Sequence, residues 1–157
     1  METGRILIVD DDDASRLVLG EYFTRCGHEV VTAGDGEDAL KKFVPGIFDC
    51  VISDLMMPKV DGLELLKRIK MQDSHVGFLM ITGYPNIDSA INAIKEGADD
   101  YVNKPFHLED IRIKVDRLIV AKKAKKALKK MTGIFWALII SIPLWLILGI
   151  ILGMIWK

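Results

Sequence analysis

Several short apolar runs end in residues whose side chains could hold a metal ion or a phosphoryl group. The first run is followed by Asp10 and Asp11, a later one by Asp54, the next by Thr82 and the last by Lys104. Three carboxylates gathered at one place repel one another unless a cation lies among them. Oxygen ligands suit Mg²⁺, and lysine and threonine side chains can hold phosphoryl oxygens. A carboxylate nucleophile, a metal, a lysine and a hydroxyl are what an aspartyl-phosphate site requires.

The elements that must position these residues alternate between strand and helix patterns. Short apolar runs predict strands at 6–9, from 30, and at 50–53, 78–81 and 101–102. Apolar residues at helical spacing predict helices at 14–25, 37–43, 63–71 and 87–96, and a last one through Ile111, Val115, Leu118 and Ile119. This order predicts an α/β fold, a doubly wound five-stranded parallel sheet of the (βα)5 type with helices on both faces. Ligands of such sheets bind beyond the carboxyl ends of the strands, where the candidate residues should meet.

Five stretches of the sequence together resemble the receiver domain of bacterial two-component response regulators. They are ILIVDDD at 6–12, DGEDAL at 35–40, DCVISDLMMPKVDGLELL at 49–66, MITG at 80–83 and GADDYVNKPF at 97–106, in the order and spacing of that family. The resemblance covers about residues 5–120 and implies a CheY-like, flavodoxin-like fold. Residues 82–106 are most similar to receivers that precede AAA+ transcriptional activators. We expect the C-terminal segment to replace such an output domain.

The resemblance implies a role for each candidate residue. Asp54 would accept the phosphoryl group, and Asp11 and Asp54 would bind Mg²⁺ together with the backbone carbonyl of Met56. Asp10 would help to hold the metal through water. Lys104 would pair with the phosphoryl group, and its peptide bond to the following proline is expected to be cis.

The resemblance also implies a phosphorylation switch. Thr82 would move toward the phosphoryl group and Tyr101 would change its rotamer, so that an effector docks on the face from the fourth helix through the fifth strand to the fifth helix. The phosphoryl donor would be a sensor histidine kinase or a phosphotransfer protein. We expect no enzymatic activity beyond self-phosphotransfer and autodephosphorylation, and no nucleic-acid partner. Two alternatives stay open: a phosphate sink for a kinase, and a structural subunit of a membrane complex.

The C-terminal segment differs sharply from the rest in charge and hydropathy. Residues 1–120 contain 14 Lys or Arg and 22 Asp or Glu, whereas residues 121–157 contain 7 Lys and no acid. Residues 134–156 carry no charge, and about 20 apolar residues are enough for a helix to cross a bilayer. We therefore predict a receiver domain over 1–120, a basic juxtamembrane helix or linker over 121–132 and a transmembrane helix over 133–157.

Particular residues of the predicted span support further expectations. Trp136 and Trp156 would lie near the two membrane interfaces, and Pro143 would kink or loosen the helix. Gly149 and Gly153 have the spacing that lets two helices approach closely, which allows a homodimer. Six lysines precede the span and one follows it. The positive-inside rule then predicts a single-pass protein of the inner (cytoplasmic) membrane with its N-terminal domain in the cytoplasm, and the lysines could contact anionic lipid head groups.

Two acidic residues of the first cluster admit simpler interpretations. For Asp12 and Asp13 we prefer helix capping and a favourable charge at a helix N-terminus over direct metal ligation. Asp10 and Asp12 also fit the Asp-x-Asp motif of haloacid dehalogenase-like phosphatases, but that alternative explains neither Asp54 nor the loop after it. The single thiols Cys26 and Cys50 predict a reduced protein.

Overall fold

The apolar runs of the sequence form strands, and the segments between them form helices. The computed structural model describes residues 3–83 and 87–155. In this part the strands are β1 (Arg5–Val9), β2 (Glu29–Ala33), β3 (Cys50–Asp54), β4 (Gly77–Thr82) and β5 (Asp100–Asn103). The helices are α1 (Asp13–Arg25), α2 (Gly36–Lys42), α3 (Gly62–Gln72), α4 (Ile87–Lys95) and α5 (Leu108–Ile155). The predicted α/β order is confirmed, and the bounds predicted for the strands and for the first four helices differ from the observed ones by at most one residue. The last helix is longer than its predicted apolar residues at 111–119, because it begins at Leu108 and continues to Ile155.

The five strands form one parallel sheet in the order β2-β1-β3-β4-β5. β1, β3 and β4 occupy the centre, and their residues are almost all buried, whereas the edge strands β2 and β5 are only partly buried. A central parallel strand is covered on both faces, which explains why these runs are continuously apolar rather than alternating. The strand order changes direction between β1 and β3, and doubly wound sheets place their ligand site at such a point.

Two hydrophobic cores cover the two faces of the sheet. One contains Leu7 and Val9 of β1 and packs against α2, α3 and α4 through residues such as Ala39, Leu65 and Ala93. The other contains the alternate residues of β1, Ile6 and Ile8, with Leu19 and Phe23 of α1 and Ile111, Val115, Leu118 and Ile119 of α5. Successive strand side chains point to opposite faces, so each central strand contributes to both cores.

Aspartates begin three of the helices. Asp12, Asp35 and Asp61 are the N-caps of α1, α2 and α3, and their side chains accept hydrogen bonds from Ala14 N (3.1 Å), Asp38 N (2.7 Å) and Glu64 N (2.8 Å). An N-cap carboxylate satisfies a free N–H of the first turn and interacts favourably with the helix dipole. The cap of α1 lies close to the end of β1, so it also fixes how the chain leaves the edge that carries Asp10.

The chain divides into two compact units, residues 1–122 and residues 123–157. Both hydrophobic cores lie within the first unit, between residues 6 and 119. In the second unit the helix continues to Ile155, and its exposed apolar side chains include Leu128, Met131 and Phe135.

No helix in the described part of the chain is long and apolar enough to cross a membrane. The transmembrane helix predicted over 133–157 therefore lacks support from the structure. Most of the residues behind that prediction lie outside the part of the chain that the structure describes. This holds for Trp156 as a whole, for the side chains of Trp136 and Pro143, and for the surroundings of Gly149 and Gly153.

Candidate phosphorylation site

The carboxyl ends of four strands bring the predicted site residues to one edge of the sheet. Asp54 is the last residue of β3 and Thr82 the last of β4, while Asp10 directly follows β1 and Lys104 directly follows β5. In the sheet, Asp54 is paired with the residue before Thr82, and Thr82 is paired with the residue before Lys104. The parallel register therefore places all four side chains at the same level, as the sequence predicted.

Lys104 lies between the two buried carboxylates of this edge. Its Nζ is 2.9 Å from Asp54 Oδ1 and 3.1 Å from Asp10 Oδ2. Asp54 is 7% exposed and Asp10 2% exposed. One ammonium thus balances part of the charge of two carboxylates that would otherwise repel each other in a partly desolvated site.

The loop after β3 holds Asp54 from the other side. Met56 N donates a hydrogen bond of 2.9 Å to Asp54 Oδ2, and Gly62 N donates one of 2.9 Å to Leu55 O. A Cβ added at Gly62 would lie 2.3 Å from Asp54 O and 2.9 Å from Leu55 Cα, distances that require the backbone to move. A glycine at this position therefore lets the start of α3 pack directly against the backbone of Asp54.

Asp54 Oδ1 is a buried oxygen that carries no hydrogen bond among the described residues. Its contact with Lys104 is an ion pair of 2.9 Å. Oδ2 is held by the backbone, so Oδ1 is the oxygen whose coordination is incomplete. A buried acceptor that lacks a hydrogen bond lowers the stability of the folded protein. Such an acceptor is therefore typical of a site that receives a ligand.

The pKa values of the pair reflect burial and the ion pair in opposition. Burial raises the pKa of Asp54 above its ordinary value, although Lys104 and the hydrogen bond from Met56 N act to lower it. For Lys104, burial acts to lower the pKa, but Asp54 and Asp10 outweigh it and raise the pKa. Lys104 therefore keeps its charge over the neutral range, and it keeps Asp54 more ionised than burial alone would allow.

Thr82 and Tyr101, the predicted switch residues, are in contact. The Thr82 side chain is fully buried, and that of Tyr101 is half-buried on the neighbouring strand. Burial raises the pKa of the Tyr101 hydroxyl, and a side-chain hydrogen bond with Thr82 partly opposes this. The backbone of Thr82 also serves the site, because its carbonyl accepts a hydrogen bond of 2.7 Å from Lys104 N. The peptide bond between Lys104 and Pro105 is cis, as the resemblance implied.

The metal-ligand prediction is only partly matched by the geometry. Asp10 and Asp54 come together, but the side chain of Asp11 is exposed, and no group of three His, Cys, Asp or Glu residues in the described ranges is arranged to hold a metal. The Lys104 ammonium lies between Asp10 and Asp54, 3.1 Å from one carboxylate and 2.9 Å from the other. The donor set still fits Mg²⁺, since it offers carboxylate oxygens, a nearby backbone carbonyl and one buried oxygen that lacks a hydrogen bond.

Two neighbours of Asp10 were not among the site residues predicted from the sequence. Ser15 Oγ donates a hydrogen bond of 2.8 Å to Asp10 Oδ2, and Arg16 donates one of 2.6 Å to the Asp10 carbonyl. A signal was available, because both residues lie in the first turn of a helix whose N-cap is two residues after Asp10. Asp12 itself is that cap, as predicted, and this role disfavours the Asp-x-Asp phosphatase alternative.

Lys122 differs from its predicted place in an exposed basic run. It is 6% exposed, its Nζ is 3.1 Å from Asp73 Oδ2, and it also donates a hydrogen bond to the carbonyl of Phe48. Lys122 therefore belongs to the folded first unit. Lys125, Lys126 and Lys129 are exposed, as predicted.

Comparison with known proteins agrees with this fold and site. The sequence pattern of the response regulator receiver domain matches residues 6–116. The regulatory protein AtoC of Escherichia coli is 35% identical over 125 residues, which are 80% of this chain and 27% of AtoC. The alkaline phosphatase synthesis transcriptional regulatory protein PhoP of Bacillus subtilis is 35% identical over 115 residues, 73% of this chain and 48% of PhoP. The chain thus spans less than half the length of these two relatives.

Solved structures show the same domain. A response regulator receiver domain protein from Clostridium thermocellum superimposes with a TM-score of 0.74 at 33% identity, covering 77% of this chain and 98% of the other. NtrX from Brucella abortus superimposes with a TM-score of 0.77 at 31% identity, covering 83% of this chain and 30% of the other. The first of these consists almost entirely of the matched domain, which therefore folds on its own. This chain belongs to the response regulator receiver domain family and is a receiver of two-component signalling.

Proposed function

We propose that Asp54 accepts a phosphoryl group from the phosphohistidine of a sensor histidine kinase or a phosphotransfer protein. The observation that carries this proposal is the position of Asp54 at the carboxyl end of β3, buried, 2.9 Å from Lys104 and beside Asp10. In the transfer, the P–N bond of phosphohistidine breaks, a P–O bond to the Asp54 carboxylate forms, and the departing histidine nitrogen takes a proton. Lys104 would stabilise the charge on the phosphoryl oxygens.

We expect Mg²⁺ to be the cofactor of this reaction. Asp11, Asp54 and the carbonyl of Met56 would hold it directly and Asp10 through water. The ion would neutralise charge on the transferred group. The chain's own contribution is to keep the carboxylates close, to hold Asp54 Oδ2 through Met56 N, and to supply Lys104. Beyond self-phosphotransfer and autodephosphorylation we propose no enzymatic activity.

We propose that Thr82 and Tyr101 transmit the phosphorylation state to an effector. Their contact joins the phosphorylation edge to β5, an edge strand whose surface is open to a partner. A depression of about 510 Å³ lies along β5 and α5 next to Tyr101, and its lining includes Phe106 and Ile113. A docking protein that recognises this face from α4 to α5 could distinguish the two positions of Tyr101.

Attachment to the inner membrane, with the receiver in the cytoplasm, is a further part of the proposal. Its support is the sequence of residues 134–156, which carries no charge, and the exposed lysines before it, among them Lys125, Lys126 and Lys129. Each lysine near an anionic surface contributes about 1 kcal/mol of attraction. The test is fractionation: the full chain should stay in the membrane pellet after an alkaline carbonate wash, and residues 1–127 should not. Recovery of the full chain in the supernatant would contradict membrane attachment.

A phosphorylation-dependent homodimer is tested by crosslinking between cysteines introduced near Gly149. An equal yield with and without phosphorylation would argue against such a dimer.

Phosphotransfer from a kinase tests the main proposal. A panel of histidine kinases autophosphorylated with radiolabelled ATP is mixed with the full chain and Mg²⁺, and label on the chain is followed over time. We expect at least one kinase to label the wild type and Asp12→Asn, because asparagine is an equally good N-cap, but not Asp54→Asn. Label that persists on Asp54→Asn would place the acceptor elsewhere.

A further inference from the structure

The carboxylate of Asp10 is held at both of its oxygens. Oδ1 accepts a hydrogen bond of 2.9 Å from Asp12 N, and Oδ2 accepts one of 2.8 Å from Ser15 Oγ. Oδ2 is also 3.1 Å from Lys104 Nζ. A group that is 2% exposed and bonded on both oxygens has one orientation rather than several.

Ser15 is the side chain that holds Asp10 from within its own segment of the chain. It is half-buried in the first turn of α1, and α1 is fixed independently by its Asp12 cap. Lys104 is a charged side chain that reaches Asp10 from a distant part of the chain. It is shared with Asp54, so its position depends on the state of Asp54. The hydrogen bond from Ser15 carries no such dependence.

We propose that Ser15 is a positioning residue for Mg²⁺, which keeps the Asp10 carboxylate aimed at the phosphorylation edge whether or not Lys104 remains on it. The inference rests on the proposed function, because it assigns the orientation of Asp10 to metal binding. Carboxylates of metal sites are commonly oriented by hydrogen bonds from outside the ligand set, and loss of such a partner reduces metal affinity by about 10–100-fold.

Replacing Ser15 by alanine removes the hydroxyl that holds Asp10. Alanine favours a helix more than serine does, so Ser15→Ala should not weaken α1 through propensity. A serine that only filled space would leave the Mg²⁺ affinity unchanged when replaced. Thr24 supplies a matched control, because its hydroxyl lies on the same helix and donates to Gly20 O (2.7 Å) rather than to the site.

Calorimetric titration with Mg²⁺ tests the proposal without any phosphoryl donor. Residues 1–127 of the wild type, Ser15→Ala, Ser15→Thr and Thr24→Ala are compared, with thermal unfolding of each to establish that it is folded. We expect Ser15→Ala to raise the Mg²⁺ Kd about 10-fold, Ser15→Thr to restore most of the affinity and Thr24→Ala to leave it unchanged. The Mg²⁺ concentration that half-saturates the phosphorylation rate should rise by the same factor, while the rate at saturating Mg²⁺ changes little.

The outcomes separate this inference from the proposed function. If Ser15→Ala binds Mg²⁺ as tightly as the wild type, or more tightly, while the wild type is phosphorylated on Asp54, the role assigned to Ser15 is wrong and the proposed function stands. If Ser15→Ala weakens Mg²⁺ binding but the wild type accepts no phosphoryl group, the positioning role stands and the proposed function fails. A loss of affinity shared by Thr24→Ala would also overturn the role of Ser15, since it would trace to the helix as a whole.

Discussion

The ion pair between Lys122 and Asp73 makes a prediction about where the folded receiver ends. Lys122 Nζ is 3.1 Å from Asp73 Oδ2 and also donates to Phe48 O. Asp73 Oδ2 accepts a hydrogen bond of 3.1 Å from Gly46 N, and its Oδ1 accepts one of 3.0 Å from His75 N. The lysine thus joins the end of the α5 segment in the first unit to the loops before β3 and β4.

The size of the effect follows from the burial of both groups. The Lys122 side chain is 6% exposed and that of Asp73 is 10% exposed. Removing one partner of a buried ion pair costs about 3–5 kcal/mol, because the other charge is left without compensation. Asp73 keeps two backbone hydrogen bonds in Lys122→Met, so we expect the lower end, about 3 kcal/mol. For a domain of this size that corresponds to a Tm lower by roughly 12 °C.

The pH dependence of this loss has a definite sign. Burial acts to raise the pKa of Asp73, but the hydrogen bonds from Gly46 N, Lys122 and His75 N outweigh it, and the pKa is lowered in the folded state. Its contribution to stability is therefore complete above the ordinary carboxyl pKa of about 4 and is lost as the pH falls through the lowered value. The difference in stability between wild type and Lys122→Met should shrink in acid.

Urea unfolding of residues 1–127, followed by circular dichroism, measures these effects. Lys122→Met, Asp73→Asn and the double variant form a thermodynamic cycle, with Lys126→Met as the control for an exposed lysine of the same helix. The double variant should lose clearly less stability than the two single losses added together. A loss below about 1 kcal/mol in Lys122→Met, or strict additivity in the cycle, would refute a buried, coupled pair and return Lys122 to the exposed basic run.

Two further substitutions test the phosphorylation edge. Gly62→Ala places a Cβ 2.3 Å from Asp54 O, so it should lower the free energy of unfolding in urea by about 1–3 kcal/mol and slow phosphorylation. Gly83→Ala is the control, because a Cβ there meets no atom of the described residues within 4 Å. Equal effects of the two substitutions would contradict close packing of Gly62 against Asp54. Lys104→Met should slow phosphorylation by a small-molecule donor about 100-fold. It should also shift the acid limb of the pH–rate profile to higher pH, because burial raises the pKa of Asp54 and Lys104 partly opposes that rise. An acid limb that does not move would show that Lys104 does not lower the pKa of Asp54.

The sheet and the main site residues were predictable because strand ends are local signals. Continuous apolar runs such as Ile6–Val9 identify buried parallel strands, and the residue that follows each run must lie at the common edge. The predicted positions of Asp10, Asp54, Thr82 and Lys104 therefore hold.

Three features of the structure were not predictable from the sequence, because they depend on contacts between side chains that hydropathy patterns do not record. Lys122 lies in a run of chemically identical lysines, and only its spacing from Leu118 and Ile119 on the buried face of α5 hints that it points inward. The ammonium of Lys104 between Asp10 and Asp54 could not be read from spacing either. The hydrogen bond from Ser15 to Asp10 depends on how α1 leaves β1, which patterns of hydropathy do not record.

Intact mass measurement after incubation with a small-molecule phosphoryl donor tests the central claim most directly. The full chain is incubated with acetyl phosphate and Mg²⁺, and the mass of the wild type is compared with that of Asp54→Asn and Asp12→Asn. We expect the wild type and Asp12→Asn to gain the mass of one phosphoryl group. We expect no gain without Mg²⁺ and none in Asp54→Asn. An unchanged wild-type mass, or the same gain in Asp54→Asn, would contradict the assignment of Asp54 as the phosphoryl acceptor.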